Sequence, residues 1–164
     1  MAKKTAIYGI LTALCLVLSF VEHLISFDFI APGIKIGLAN SVALLLVYKG
    51  NVKGGFAVNI TRILLSALLF SAPSTLLFSL SGGILSLVAV SCFAKISIFS
   101  VIGVSIIGAA VHNIAQLVCA SLLLGGGVWY YTPILLISAV ICGFATGLIA
   151  KLAFNKLNFI NSIL

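Results

Sequence analysis

One arginine of this chain lies in the middle of a long apolar run. Arg62 is three residues from Asn59 and four from Ser66, so the three side chains share one face of a helix. A guanidinium is unfavourable in hydrocarbon, and Arg62 is therefore expected to face protein or a polar pocket. It either joins neighbouring helices or binds the carboxylate or phosphate of a ligand, for which its planar fork is suited. No neighbouring apolar run offers a carboxylate as its partner, which favours the ligand.

A second group of polar residues lies in a later apolar run. Ser105, Gly108, His112 and Gln116 share one helical face, and Asn113 lies beside it. So many hydrogen-bonding side chains at bilayer depth exceed what packing requires. An interhelical hydrogen-bond cluster and a ligand pocket both remain open as interpretations. A proton relay through His112 is less favoured, because it would need an acidic partner in the bilayer core.

The apolar runs therefore supply seven candidate ligand contacts. They are Arg62, His112, Asn113, Gln116, Asn40, Asn59 and Ser79. Two stripes of small residues are expected to be packing seams between helices. The first comprises Ser79, Gly82, Gly83 and Ser86, and the second Ala139, Gly143 and Gly147.

The composition identifies the elements that must position these residues. The chain has 164 residues, of which 63% are hydrophobic and 7% charged, whereas an ordinary soluble domain has about 25% charged residues. Two carboxylates cannot build an aspartate-rich magnesium-diphosphate site, a glycosidase pair or a Walker-type ATPase. We therefore expect a membrane protein that is not an enzyme and has no metal or cofactor. The dispersed basic residues argue against a nucleic-acid partner.

Glycine, proline and charged residues divide the chain into six apolar runs. These span about residues 5–21, 36–48, 54–70, 74–93, 97–124 and 132–153. Continuous apolar runs predict helices rather than barrel strands, so the expected fold is an all-α bundle of six transmembrane helices in one domain, residues 1–164. The second run is short for a span. The first lacks a small-x-small cleavage pattern and is expected to be retained. Its cysteine, like the other three, is expected to be a small buried hydrophobe.

The lysines predict the orientation of the bundle. With a cytoplasmic N-terminus, seven lysines fall on the inside and only Lys35 on the outside. The seven are Lys3, Lys4, Lys49, Lys53, Lys95, Lys151 and Lys156. Both termini are therefore expected in the cytoplasm, with the chain in the cell membrane as a multi-pass protein.

Two outer segments and one helix face are candidates for other roles. The loop from Glu22 to Lys35 is expected on the outer side of the membrane. Trp129, Tyr130 and Tyr131 follow three glycines and form either an interfacial aromatic belt or a mobile lid. These outer segments together carry Glu22, His23, Lys35, Trp129, Tyr130 and Tyr131. Gly9 and Ala13 form a small-residue step on the first helix, either a seam within the chain or a docking surface for another subunit.

Four motifs carry a resemblance to a known family. They are PGIKIGLAN at 32–40, RILLS at 62–66, FSLSGG at 78–83 and GAAVHNIAQ at 108–116. In this order they resemble the heptaprenyl diphosphate synthase component I family, also called the Gx transporter family, over nearly the whole chain. That family looks like the substrate-binding S components of energy-coupling factor (ECF) transporters. The resemblance implies an AxxxA docking surface at Gly9 and Ala13, with glycine replacing the first alanine. It also implies that the loop from Glu22 to Lys35, which contains His23, is an outer gate.

Three functions are therefore open. The first is a subunit that captures a small anionic or polar-headed nutrient or precursor for an ECF coupling subunit and its ATPases. Arg62 would hold its negative group. The second is a non-catalytic accessory subunit linked to isoprenoid synthesis, with no ligand of its own. The third is a proton-coupled carrier that works alone.

Overall fold

The computed structural model describes residues 2–25, 37–70 and 73–156, and these form an all-helical bundle. Six α-helices and one 3-10 helix, but no strand, occur in these ranges. They are α1 (Ala2–Leu24), α2 (Leu38–Tyr48), α3 (Val52–Leu69), α4 (Pro73–Phe93), α5 (Val101–Leu124), the 3-10 helix (Gly126–Tyr131) and α6 (Thr132–Lys156). The predicted all-α fold is confirmed.

Five of the helices are long and apolar enough to cross a membrane. The exception is α2, whose 11 residues extend only about 16 Å at 1.5 Å per residue. A bilayer core is about 30 Å thick. The chain is thus a multi-pass helical membrane protein, whereas the predicted sixth span and the predicted orientation stay predictions.

The short helix α2 lies at the centre of the bundle. It contacts α1, α3, α4 and α6, and most of its side chains are buried. Its neighbours have 18 to 25 residues and so measure about 27 to 37 Å. The central helix therefore cannot fill the length of the bundle.

Several helix boundaries differ from the predicted ones by one to four residues. The first helix continues to Leu24 instead of ending at Val21, so Glu22 belongs to α1 and not to a loop. The fifth begins at Val101 instead of Ser97, because the Ser100 hydroxyl caps it by accepting the Gly103 N–H at 3.1 Å.

Small residues form the predicted seam between α5 and α6. A Cβ on Gly143 would lie 2.7 Å from the Cα of Ile106, and one on Gly147 would lie 2.8 Å from the Cα of Ile102. Such close backbone approach is typical of helix pairs in lipid, where dispersion contacts replace the hydrophobic effect. The predicted packing role of this stripe is confirmed.

Contacts between distant segments bring the seven lysines of the predicted inner side to one end of the bundle. Tyr8, near the start of α1, bonds to Asn51 between α2 and α3. Lys49 at the end of α2 lies 4.5 Å from the ring centroid of Phe154 near the end of α6. The turn between α4 and α5 joins the same end, since Phe99 packs on the core cluster that includes Ala150 of α6. We call this the lysine end.

The four cysteines do not share one environment. All four thiols are free, but Cys15 is the only one that is buried, and Cys92 is exposed. The prediction of four buried hydrophobes is therefore wrong for three of them. A small apolar side chain on a membrane helix is as compatible with lipid as with the protein interior, so apolar sequence context does not predict burial here.

Asn51 supports a first stability prediction. Its side chain accepts the Gly54 N–H at 3.0 Å and donates to the Tyr8 hydroxyl at 2.6 Å, so it both caps α3 and ties it to α1. Asn51→Ala is expected to lower the free energy of unfolding by about 1 kcal/mol, measured by denaturant titration in detergent micelles. Asn51→Asp, which retains the capping acceptor, should lose less. Equal losses in the two variants would contradict the capping role.

Candidate functional site

A polar cavity of about 90 Å³ lies inside the bundle. Every one of the six helices contributes to its wall. At between about 15 and about 30 Å³ for each water molecule, it has room for roughly three to six waters or a small polar group of similar size.

The cavity brings together the seven candidate ligand contacts. Its lining includes Asn40, Asn59, Arg62, Ser79, His112, Asn113 and Gln116. Their convergence follows from the helical periodicity of each polar stripe and from the packing of α3, α4 and α5 side by side. Their role in binding a ligand stays a prediction.

Arg62 joins three helices and faces the cavity. Its Nη1 donates to Ser19 Oγ of α1 at 3.2 Å, and its Nη2 donates to Asn40 Oδ1 of α2 at 3.2 Å and to Asn59 Oδ1 of its own helix at 2.9 Å. The Nε is buried, and no atom of the described residues accepts its proton. Three of the five guanidinium N–H bonds are thus used internally. Both interpretations of Arg62 therefore remain compatible with the structure.

Glu22 lies inside the bundle. It is only 9% exposed, it lines the cavity, and its carboxylate accepts the backbone N–H of Leu38 at the start of α2. Its charge also acts on Arg62. The expectation that no carboxylate lies near Arg62 is wrong, because the extra turn of α1 carries Glu22 into the core.

The spacing of polar residues along α1 already indicates that Glu22 faces the interior of the bundle. Cys15, Ser19 and Glu22 are four and three residues apart, so they share a helical face. Cys15 is buried against the carbonyl of Ala39, and Ser19 bonds to Arg62. The predicted end of the first helix at Val21 leaves Glu22 outside this stripe.

The polar residues of α5 also have structural contacts. Asn113 donates to the Leu135 carbonyl at 2.8 Å and to Ser138 Oγ at 3.4 Å, which ties α5 to α6. His112 and Gln116 lie against Gly82 of α4, where a Cβ would be 2.9 Å from atoms of both side chains. Gly82 therefore gives these two side chains the room they occupy.

Two further polar residues of the cavity wall were not anticipated from the sequence. Thr146 of α6 bonds to Ser105 of α5 at 2.9 Å and lines the cavity. Thr75, near the start of α4, also lines it. Thr146 lies three residues after Gly143 and therefore shares the packing face of α6. This spacing predicts that its side chain faces inward.

The other candidate gate and lid residues do not line the cavity in the described part of the chain. His23 is exposed, and Lys35 lies outside the described residues, as does most of the loop predicted to gate the entrance. Trp129, Tyr130 and Tyr131 form part of the 3-10 helix that packs on α5 and α6. All three are exposed, Tyr130 by 88%. Neither the aromatic-belt nor the lid interpretation is tested by this arrangement.

The proposed docking residues lie on an exposed face of α1. Gly9 and Ala13 are both exposed, and a Cβ on Gly9 would meet nothing within 4 Å. The small-residue step therefore does not pack against another described helix at Gly9. Docking of another subunit on this face stays a prediction.

Long apolar helices around a cavity lined by polar and charged side chains define a multi-pass membrane protein with an internal polar site. The family model for heptaprenyl diphosphate synthase component I matches residues 11–153, and the chain belongs to that family. The family resemblance predicted from the four motifs is confirmed. No curated protein and no solved structure matches the chain, and the further likeness to ECF S components stays a prediction.

Proposed function

We propose that this protein is a membrane subunit that captures a small polar molecule in its internal cavity. The observation that supports this best is the cavity itself, which is surrounded by a ring of polar side chains and by the charged side chains of Glu22 and Arg62. Polar groups at membrane depth are unfavourable and typically mark ligand or ion pathways. Arg62 retains unused N–H donors for such a molecule after its internal hydrogen bonds are counted.

In this proposal the captured molecule is handed to an ATP-driven transporter of the ECF type. The six helices act as one domain in the cytoplasmic membrane, with the lysine end inside as the positive-inside rule predicts. Gly9 and Ala13 form the contact with a coupling subunit, which works with the ATPase subunits. Trp129, Tyr130 and Tyr131 close the cavity from the opposite side.

A second candidate function is a non-catalytic accessory subunit of heptaprenyl diphosphate synthesis. The name of the family points to a partner synthase component, and the internal hydrogen bonds of Arg62 suit a structural role. The chain has only two carboxylates, too few for the metal site that prenyl transfer requires. Catalysis in this proposal belongs to the partner.

Native mass spectrometry of the purified protein in detergent tests the first function. We expect a retained small molecule in the wild type and its loss in Ala109→Phe, because Ala109 lines the cavity and a phenyl ring there would fill it. Ile114→Phe is the matched control, since Ile114 lies on the same helix but is exposed. Thermal melting of each variant verifies that it folds.

One result of the native mass spectrometry would contradict the capture function. If the wild type retains no molecule and A109F behaves like the wild type, the capture function is wrong. Coexpression with a prenyl synthase catalytic subunit then tests the second function, which predicts that the catalytic subunit moves to the membrane fraction. A soluble catalytic subunit in that experiment would exclude the accessory role.

A further inference from the structure

We propose that the turn between α4 and α5 binds an anionic phospholipid. Lys95 pairs with the lipid phosphate, and Ile96 and Ile98 lie among the acyl chains just below it. The turn belongs to the lysine end, and none of residues 94–100 is part of the cavity wall. The proposal therefore does not depend on capture of a molecule in the cavity.

The fold of the turn directs its isoleucines outward. The Ile96 N–H donates to the Phe93 carbonyl, and the Phe99 N–H donates to the Ile96 carbonyl, each at 3.1 Å. The rings of Phe93 and Phe99 meet edge to face with their centroids 5.4 Å apart, and both pack on the core cluster that includes Ala150. With the two phenylalanines turned inward, Ile96 and Ile98 are exposed, Ile98 by 86%.

The length of α4 places this turn at the surface of the bilayer core. Its 21 residues extend about 31 Å, which matches a hydrocarbon core about 30 Å thick. Leu85 and Val88 of α4 are exposed, as expected for apolar side chains that face lipid on a membrane helix. The isoleucines follow at the end of this helix. At that depth an apolar side chain is favoured among acyl chains over water.

The charge at this end of the bundle is strongly positive. The chain has only two acidic residues. Glu22 lies at the opposite end of α1 from the first lysines, and Asp28 lies outside the described residues. One carboxylate could not neutralise the six exposed ammonium groups, so the lysine end attracts anions. The six are Lys3, Lys4, Lys53, Lys95, Lys151 and Lys156.

A phospholipid supplies both partners in the arrangement that the turn requires. Its phosphate lies at the membrane surface with the acyl chains directly beneath, and Lys95 is within three residues of both isoleucines. Lysines next to a membrane helix attract anionic lipids, and the stem of Lys95 can lie on apolar surface while its ammonium reaches the phosphate. A free phosphate or a hydrophilic acidic protein surface would satisfy the charge but leave Ile98 in water.

Lipid titrations followed by native mass spectrometry in detergent test the proposal. The probes are phosphatidylglycerol, phosphatidylcholine with the same acyl chains, and glycerophosphoglycerol as the soluble headgroup. We expect phosphatidylglycerol to bind at least about fivefold more tightly than phosphatidylcholine, since each lysine at an anionic surface contributes about this factor. The soluble headgroup should bind more weakly than the intact lipid, because it cannot contact the isoleucines.

Matched variants assign the binding to the turn. Lys95→Gln should lose most of the preference for the anionic lipid, whereas Lys95→Arg should keep it. Lys156→Gln is the charge control, at an exposed lysine on α6, and should also keep it. Ile98→Ser should weaken the binding of both lipids. Leu124→Ser is its control, because Leu124 is exposed at the opposite end of α5, and thermal melting verifies that each variant folds.

Equal affinity of the wild type for the two lipids overturns the proposal and leaves the turn to an acidic protein partner. Equal losses in K95Q and K156Q also overturn it, because they would assign the preference to the charge of the whole lysine end. So does an I98S variant that binds lipid as the L124S control does. A soluble headgroup that binds as tightly as the intact lipid would assign the lysines to free phosphate esters instead.

Discussion

Replacing Arg62 with alanine is expected to abolish retention of the bound molecule and to weaken the bundle. The guanidinium holds Ser19 of α1 and Asn40 of α2 against α3, and these two interhelical bonds disappear with it. Interhelical hydrogen bonds in membranes are worth about 0.6 kcal/mol on average, and bonds to a charged group about 1.5 to 3 kcal/mol. We therefore expect the free energy of unfolding to fall by about 1 to 3 kcal/mol.

Arg62→Lys separates the positive charge from the geometry. A lysine ammonium presents its three donors from one atom and cannot reach acceptors on several helices as a planar fork does. This variant should lose most of the stability while keeping weak ligand retention. Denaturant titration measures the first property and native mass spectrometry the second, with Lys53→Ala as the control on the exposed surface of α3. Wild-type retention and stability in R62A would remove Arg62 from both roles.

The largest effect on folding is expected at the seam between α5 and α6. Gly143→Ala adds a Cβ that would lie 2.7 Å from the Cα of Ile106 and 3.1 Å from the Ser105 carbonyl. These are backbone atoms, so relief requires the two helices to move apart. Overpacking of this kind typically costs about 1 to 3 kcal/mol, and the larger Gly143→Val should exceed that range. Thermal and denaturant unfolding in detergent measure the loss.

Gly9→Ala makes the same chemical change where the structure has room. Nothing lies within 4 Å of the added Cβ, and alanine is favoured over glycine in a helix by roughly 0.5 to 1 kcal/mol. Its stability should therefore be unchanged or slightly higher. Equal losses at Gly9 and Gly143 would mean that loss of glycine, and not contact across the seam, controls the stability.

The variants G143A and R62A report on different properties of the protein. Gly143 does not line the cavity, so a folded fraction of G143A should still retain the bound molecule. R62A should lose that molecule even when it is fully folded. The difference between them separates the integrity of the bundle from the chemistry of the site.

Local spacing predicted much of the candidate site. Asn59, Arg62, His112 and Gln116 face one cavity because residues three or four apart share a face of a helix, and polar side chains in lipid must turn inward. The seam at Gly143 follows from the same reasoning. Both inferences need only the helical repeat and the apolar surroundings.

The buried position of Glu22 against α2 is a feature that local sequence patterns do not predict. An acidic residue at the end of an apolar run is typical of a loop, and this one was expected to begin the gate. Its helical position is supported by a bond to Leu38, sixteen residues later in the chain. Such a partner is brought close only by the packing of α1 on α2.

The sequence by itself determined that this protein is a helical membrane protein with polar residues facing inward. That conclusion depends on composition and on the helical repeat, which are local properties. Only the tertiary structure decided that Glu22 and Arg62 share one cavity, that Arg62 holds α1 and α2 to α3, and that α2 lies in the centre. The physical reason is that these features depend on which helices pack together, and helix pairing in lipid is set by close contacts among distant residues.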